Sequence, residues 1–157
     1  MTDAVSDHGP AFFEQTWDLS YRHALGRTVG GFFEGLKARR LLGRRCPGCA
    51  RVLFPARSFC DRCHEPTTEW VEVDQSGTLE MFTIVVEPFM GAPDPPYVLA
   101  YVRPDGADTA AVGFLRGLDL DDVDAAASAL VATERVTITL AAQPAGSALD
   151  FWFEIER

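Results

Sequence analysis

Two Cys-x-x-Cys turns constrain this chain more than any other feature: Cys46-Pro47-Gly48-Cys49, ten residues, then Cys60-Asp61-Arg62-Cys63. A pair of such turns can set four thiolates at the corners of a tetrahedron, the arrangement preferred by structural zinc. The intervening Arg51 to Phe59 forms the hairpin that brings the turns together, and its Val52-Leu53-Phe54-Pro55 start has the apolar character a hairpin needs. With sulfur in every position the site is closed to substrate and to activated water, so its task is to hold the fold. The expectation is one structural Zn2+ per chain on Cys46, Cys49, Cys60 and Cys63. Iron in a rubredoxin-like centre, a redox dithiol and disulfides compete for the same residues. Cys60-Asp61-Arg62-Cys63-His64 also matches the signature of covalent haem attachment. That reading needs export and leaves Cys46 and Cys49 without a purpose.

The rest of the chain argues for a reducing compartment. Met1 to Pro10 is polar and acidic where a signal peptide would be basic and then apolar. No apolar run approaches the roughly 18 residues of a membrane-spanning helix. A cytoplasmic protein is expected, in which close cysteine pairs point to metal before disulfide. The net charge of −9 disfavours a general nucleic-acid binder. It conceals an asymmetry, because Lys37 to Arg62 holds eight of the 14 basic residues against the single acid Asp61, a local +7 that leaves −16 for the remainder. The basic block coincides with the cysteine segment, where it offsets the negative charge of a metal tetrathiolate.

Periodicity divides the 157 residues into three parts. Residues 1–43 comprise an aromatic N-terminal arm (Phe12, Phe13, Trp17, Leu19, Tyr21, Leu25) and an amphipathic helix over Gly30 to Leu42, with Gly43 as its stop. Residues 44–66 form the zinc ribbon. Residues 67–157 read as strands: Trp70 to Val86, long and interrupted at Gly77; Tyr97 to Arg103; Ala110 to Leu115; Glu134 to Ala141; and Leu149 to Ile155. A proline loop, Glu87 to Pro96, follows the first strand. The Asp-rich start of Leu118 to Val131 suits a helix between the third and fourth strands. Five strands with a helix in that position predict a mainly β fold closing in an OB-type barrel.

Catalytic machinery is not apparent. His8, His23 and His64 sit in no nucleophile or metalloprotease motif, and Asp119, Asp121, Asp122 and Asp124 have the spacing of a solvated helix start.

Phe32-Phe33-Glu34-Gly35-Leu36, Leu41-Leu42-Gly43-Arg44-Arg45-Cys46-Pro47-Gly48-Cys49, Val52-Leu53-Phe54-Pro55-Ala56-Arg57 and Cys60-Asp61-Arg62-Cys63 together resemble proteins that join a rubredoxin-like zinc ribbon to an OB-fold, the family of domain of unknown function thirty-five. Gly77-Thr78-Leu79, Phe82 to Val85, Pro95-Pro96-Tyr97 and Val98 to Val102 look like its first barrel strands. The likeness runs from about Tyr21 to the C-terminus. It departs at Ala50, usually glycine, and at Ala56, usually a second proline. The resemblance implies a non-catalytic accessory subunit in a hetero-oligomer with an acyl-CoA enzyme, most often of the thiolase superfamily, bridging subunits and shaping the CoA or acyl site. On that basis Arg51, Arg57, Phe89 and Tyr97 are the candidate contacts to CoA or to the partner's site, and the N-terminal arm is a candidate clasp. Two other classes compete: a nucleic-acid-binding ribbon and barrel using the basic block, and electron transfer by an iron tetrathiolate.

Overall fold

A computed structural model describes residues 22–155 without interruption, together with 13, 15, 16 and 20. Most of the aromatic arm, including Phe12, Trp17, Leu19 and Tyr21, lies outside the described residues. Helix α1 (Arg27–Lys37) turns Phe32, Gly35 and Leu36 inward. It ends six residues before Gly43. Arg39 takes a left-handed φ of 59°, its N–H donating to Leu36 O at 2.8 Å while the N–H of Arg40 donates to Gly35 O at 2.9 Å. This is the double hydrogen bond of a Schellman stop, with arginine where glycine is usual. The expected stop at Gly43 is therefore corrected: Leu41 is buried, and Gly43 lies in a strand. A Cβ on Gly43 would come within 2.9 Å of Val52 Cγ1 and 3.0 Å of Leu53 O, so its role is close approach between strands.

That strand, β1 (Leu42–Arg45), is the centre of a small antiparallel sheet, between β2 (Val52–Leu53) and β3 (Glu69–Glu72). Trp70 to Glu72 thus belongs to the ribbon sheet and not, as its alternation suggested, to the first barrel strand. Leu42↔Glu72 and Arg45↔Glu69 set the register, and the ion pairs Arg40–Glu72 (2.9 Å) and Arg45–Glu69 (3.0 Å) lie beside it.

The barrel is built from β4 (Ser76–Val85), β5 (Tyr97–Pro104), β6 (Ala111–Arg116), β7 (Arg135–Leu140) and β8 (Phe151–Ile155). It closes in the order β4-β5-β6-β8-β7, with β7 returning to β4 and β6 running parallel to β8. Helix α2 (Val123–Val131) lies between the third and fourth barrel strands in sequence, as expected. Its N-cap is Asp122, whose carboxylate accepts from Ala125 N at 2.9 Å. Gly77 is inside β4 rather than at a break, because a Cβ there would be 2.7 Å from Arg103 O. The irregularity falls between Leu79 and Met81.

Ribbon and barrel share one core. The fully buried Phe54, just after β2, contacts Phe32 of α1 at 5.6 Å and Phe151 of β8 at 6.1 Å between ring centroids, and Phe151 contacts Phe153 at 5.9 Å. The loop before β6 adds polar stitching. Thr109 Oγ1 accepts from Phe54 N and donates to Phe54 O, both at 2.8 Å, while Val52 N donates to Asp108 Oδ2 and Asp108 N to Val52 O.

Asp150, also buried, ties down the loop before β8. It accepts from the backbone N–H groups of Ala145 (3.0 Å), Gly146 (2.6 Å) and Ser147 (2.7 Å). The N–H of Ser147 contributes most to holding its carboxyl below the ordinary range, against the opposing effect of burial. A carboxyl depressed in the folded state stabilises above its unfolded pKa, about 3.9, and that contribution is lost as pH falls through the folded value. Asp150→Asn is expected to cost about 1–3 kcal/mol at neutral pH, the scale for disturbing a buried hydrogen-bonded group. The deficit should shrink toward pH 3 as the wild-type carboxyl protonates. Thermal melts of both proteins from pH 7 to pH 3 measure this; a pH-independent gap would refute the assignment.

Candidate metal centre

The two cysteine turns fold as copies of one another. In the first, Cys46 N donates to Arg51 O at 2.8 Å and Ala50 N to Cys46 O at 2.9 Å; in the second, Cys60 N donates to Glu65 O at 2.9 Å and His64 N to Cys60 O at 3.1 Å. The residue after each second cysteine is left-handed, Ala50 at φ 61° and His64 at φ 60°. This explains why glycine is usual at the first of these positions and assigns His64 to the turn leaving its knuckle.

Cys46 and Cys60 are buried, Cys49 is half-buried and Cys63 is exposed. All four Sγ atoms lie within 4.8 Å of one another, with Cys46–Cys63 at 3.3 Å, Cys49–Cys60 at 3.6 Å and Cys49–Cys63 at 3.8 Å. Zinc with Zn–S bonds of about 2.3 Å requires sulfur atoms about 3.8 Å apart, so the cluster fits the ion. The separations are far from a disulfide, whose sulfurs lie about 2.05 Å apart. Backbone N–H groups of Cys63 and Arg62 point at Cys60 and push its thiol down to about 6. The N–H of Glu65 likewise favours the Cys63 thiolate, but hydrogen bonding to the Cys46 thiol helps to outweigh it and pushes Cys63 up to about 12. An arriving cation therefore displaces protons that the thiols otherwise share.

The basic block is largely spent on the fold. Besides the two pairs beside β3, Arg44 donates to Thr67 O at 2.5 Å and stacks over Trp70, and Arg39 donates to Ala141 O. Arg51 is bound to Asp61 at 2.5 Å and to Asp108 O at 3.1 Å, which locks the second knuckle and the barrel loop to the first knuckle. Arg57, about half exposed, reaches Asp61 only at 3.8 Å. The other two candidate contacts lie elsewhere. Tyr97 stands at the start of β5 with its ring 5.7 Å from Phe114, beside an apolar cavity of about 380 Å3. Phe89 is 74% exposed on the proline loop, next to the still more exposed Met90. The four candidates thus form no single site: Arg51 and Arg57 flank the ribbon, and Tyr97 and Phe89 sit at the proline-loop end of the barrel. Asp108 and Thr109, the loop residues that receive the ribbon, carried no signal in the sequence because their partners are 55 or more residues away.

A closed tetrathiolate site in a small sheet, packed through Phe54 onto a five-stranded OB-type barrel, defines the class: a zinc ribbon joined to an OB-fold, with a structural and not a catalytic metal position. Residues 33–69 match the family described as the ChsH2 rubredoxin-like zinc ribbon domain. The chain is 35% identical over 66 residues to a DUF35 domain-containing scaffold protein of Methanocaldococcus jannaschii, covering 40% of this chain and 46% of that one. It is 32% identical over 87 residues to a probable enoyl-CoA hydratase alpha subunit of Thermomonospora curvata, covering 54% of this chain and 27% of that one. The chain thus spans less than half the length of each of these curated relatives. Among solved structures, an Ltp2-ChsH2(DUF35) aldolase superposes with a TM-score of 0.62 at 24% identity, over 85% of this chain and 98% of that one. A DUF35 family protein of unknown function from Sulfolobus solfataricus gives 0.58 at 20% identity, over 83% and 87%. At these identities the structural likeness is one of fold. Together the similarities bear out the resemblance carried by the sequence motifs. Among the described residues, no helix is long and apolar enough to cross a membrane.

Proposed function

We propose that this chain is a non-catalytic accessory subunit of an acyl-CoA enzyme complex, bridging subunits and helping to shape the CoA or acyl-CoA site, with a thiolase-superfamily condensing or thiolytic enzyme as the partner. The observation that carries the reading is the closed site. Four protein sulfurs leave a bound metal no position for substrate, so the ribbon contributes shape and stability, and the chemistry is assigned to another chain. Similarity to a protein named as a probable enoyl-CoA hydratase alpha subunit supports the acyl-CoA setting, and similarity to a protein named as a scaffold supports the accessory role. The proline loop fits a partner contact, since Phe89 and Met90 stand exposed where an isolated protein gains nothing from showing them.

Nucleic-acid binding draws less support, because most arginines of the basic block are occupied by the chain's own carboxylates and carbonyls. The proposal is tested by purifying the tagged protein from its host and identifying what accompanies it. The expected result is a stoichiometric acyl-CoA enzyme whose activity falls at least tenfold when this chain is removed and returns when it is added back. Recovery of no such enzyme, together with tight, steeply salt-dependent binding of single-stranded nucleic acid, would reverse the assignment.

A further inference from the structure

A second cavity, of about 400 Å3, opens where α1, the ribbon segment after Phe54 and the outer face of β5 and β6 meet. Its walls are apolar: Val29 and Phe33 on the helix, Phe151 at the floor, Tyr101 and Val112 on the barrel. Tyr101 and Val112 are cross-strand partners, and they and Val29 are each between 41% and 52% exposed, so a hydrophobic surface is held open to solvent. The one charged residue lining the cavity is Arg57. Its nearest carboxylate, Asp61, is already held by Arg51 at 2.5 Å and lies 3.8 Å from Arg57, so two guanidinium groups share one carboxylate and the one facing the cavity is under-compensated. An apolar trough ending at an under-compensated arginine is complementary to a molecule with an apolar body and a negative end.

We propose that this trough is a binding site for a medium-length apolar chain bearing an anionic head group, the chain lying between α1 and Tyr101–Val112 and the head group at Arg57. The site belongs to this chain alone and does not depend on assembly with a partner enzyme. A fatty carboxylate carries its charge at the end of the apolar chain, where Arg57 stands, whereas an acyl-CoA thioester is neutral there and carries its charge on phosphates a pantetheine arm away.

Isothermal titration of the zinc-loaded full chain uses dodecanoate, dodecanoyl-CoA and dodecyltrimethylammonium, each below its micellar concentration. The expected result is saturable binding of dodecanoate, one per chain, and at least tenfold weaker binding of the cation. Binding of dodecanoyl-CoA without binding of dodecanoate would overturn the assignment of the head group to Arg57. Arg57→Gln should weaken binding about two- to fivefold, the scale of a partly exposed charge contact. Ala148→Phe, placed at an exposed residue of the rim, should block the trough. Amide chemical-shift mapping on the unmutated protein should localise the perturbation to Val29, Tyr101, Val112 and their neighbours. Absence of saturable dodecanoate binding, equal binding of the cation, shifts scattered over the surface, or indifference to both substitutions would each overturn the proposal. Co-purification with an acyl-CoA enzyme is a separate readout, so this site can fail while the accessory role stands, and the reverse.

Discussion

Cys46→Ser is expected to abolish stoichiometric zinc and to lower the melting temperature by about 10 °C or more, on the scale of roughly 2–4 °C per kcal/mol for a chain of this size. Structural zinc in small ribbons carries an apparent binding free energy of about 10–16 kcal/mol, which appears as folding free energy because no preformed site exists in the unfolded chain. The knuckle hairpin itself supplies little of that energy. Strand β2 has two residues, the β1–β2 pairing has two registered positions, and Cys46 and Cys60 form with Leu53 a small cluster of their own. Serine at 46 would leave a buried hydroxyl facing three thiolates and remove one of four ligands. The damage should not stop at the ribbon, because Phe54 follows β2 directly and its ring is part of the barrel's core. Chelation of the wild-type protein should produce the same state. Metal analysis with parallel thermal melts is the measurement, and a serine variant that keeps one zinc per chain at wild-type stability would refute the site.

Phe54→Ala is the second large effect expected. A fully buried phenylalanine costs about 3–5 kcal/mol when truncated to alanine, against a total stability of about 5–15 kcal/mol for a typical domain. The loss here falls at the upper end of that range for a geometric reason. Phe54 packs between Phe32 and Phe151, so the cavity would open where helix, ribbon and barrel meet, and none of the three can close it without leaving the other two. The backbone at Phe54 is also pinned by Thr109 through both its N–H and its C=O, which limits relaxation. The variant should melt about 10 °C lower, in a single transition, while still binding one zinc. A melting temperature within about 3 °C of wild type would show that ribbon and barrel are energetically separate.

How far the sequence could be read depended on the distance between interacting groups. Asp122 caps a helix through Ala125, three residues on, and the acidic start of that helix was visible in advance. The helix stop was not, because a left-handed arginine at position 39 has no local signature and Gly43 offered a plausible one. The alternation of Trp70 to Val73 announced a strand without naming its partner. Its pairing with β1 crosses from residue 72 to residue 42, and the same alternation would have served a barrel edge equally well.

The arginines divide in the same way. Their concentration around the cysteines is a fact of composition, but whether they meet phosphate, solvent or their own chain was decided by acids 24 and 32 residues downstream, in Glu69 and Glu72. By itself the sequence determined the metal ligands, the closed character of the site and the succession of five barrel strands along the chain, because each rests on spacing within a turn or on strand periodicity. The tertiary structure alone decided that ribbon and barrel are one core joined at Phe54, and that Arg51 is consumed while Arg57 borders an open trough. Burial and charge pairing are set by residues that approach each other only once the chain has folded.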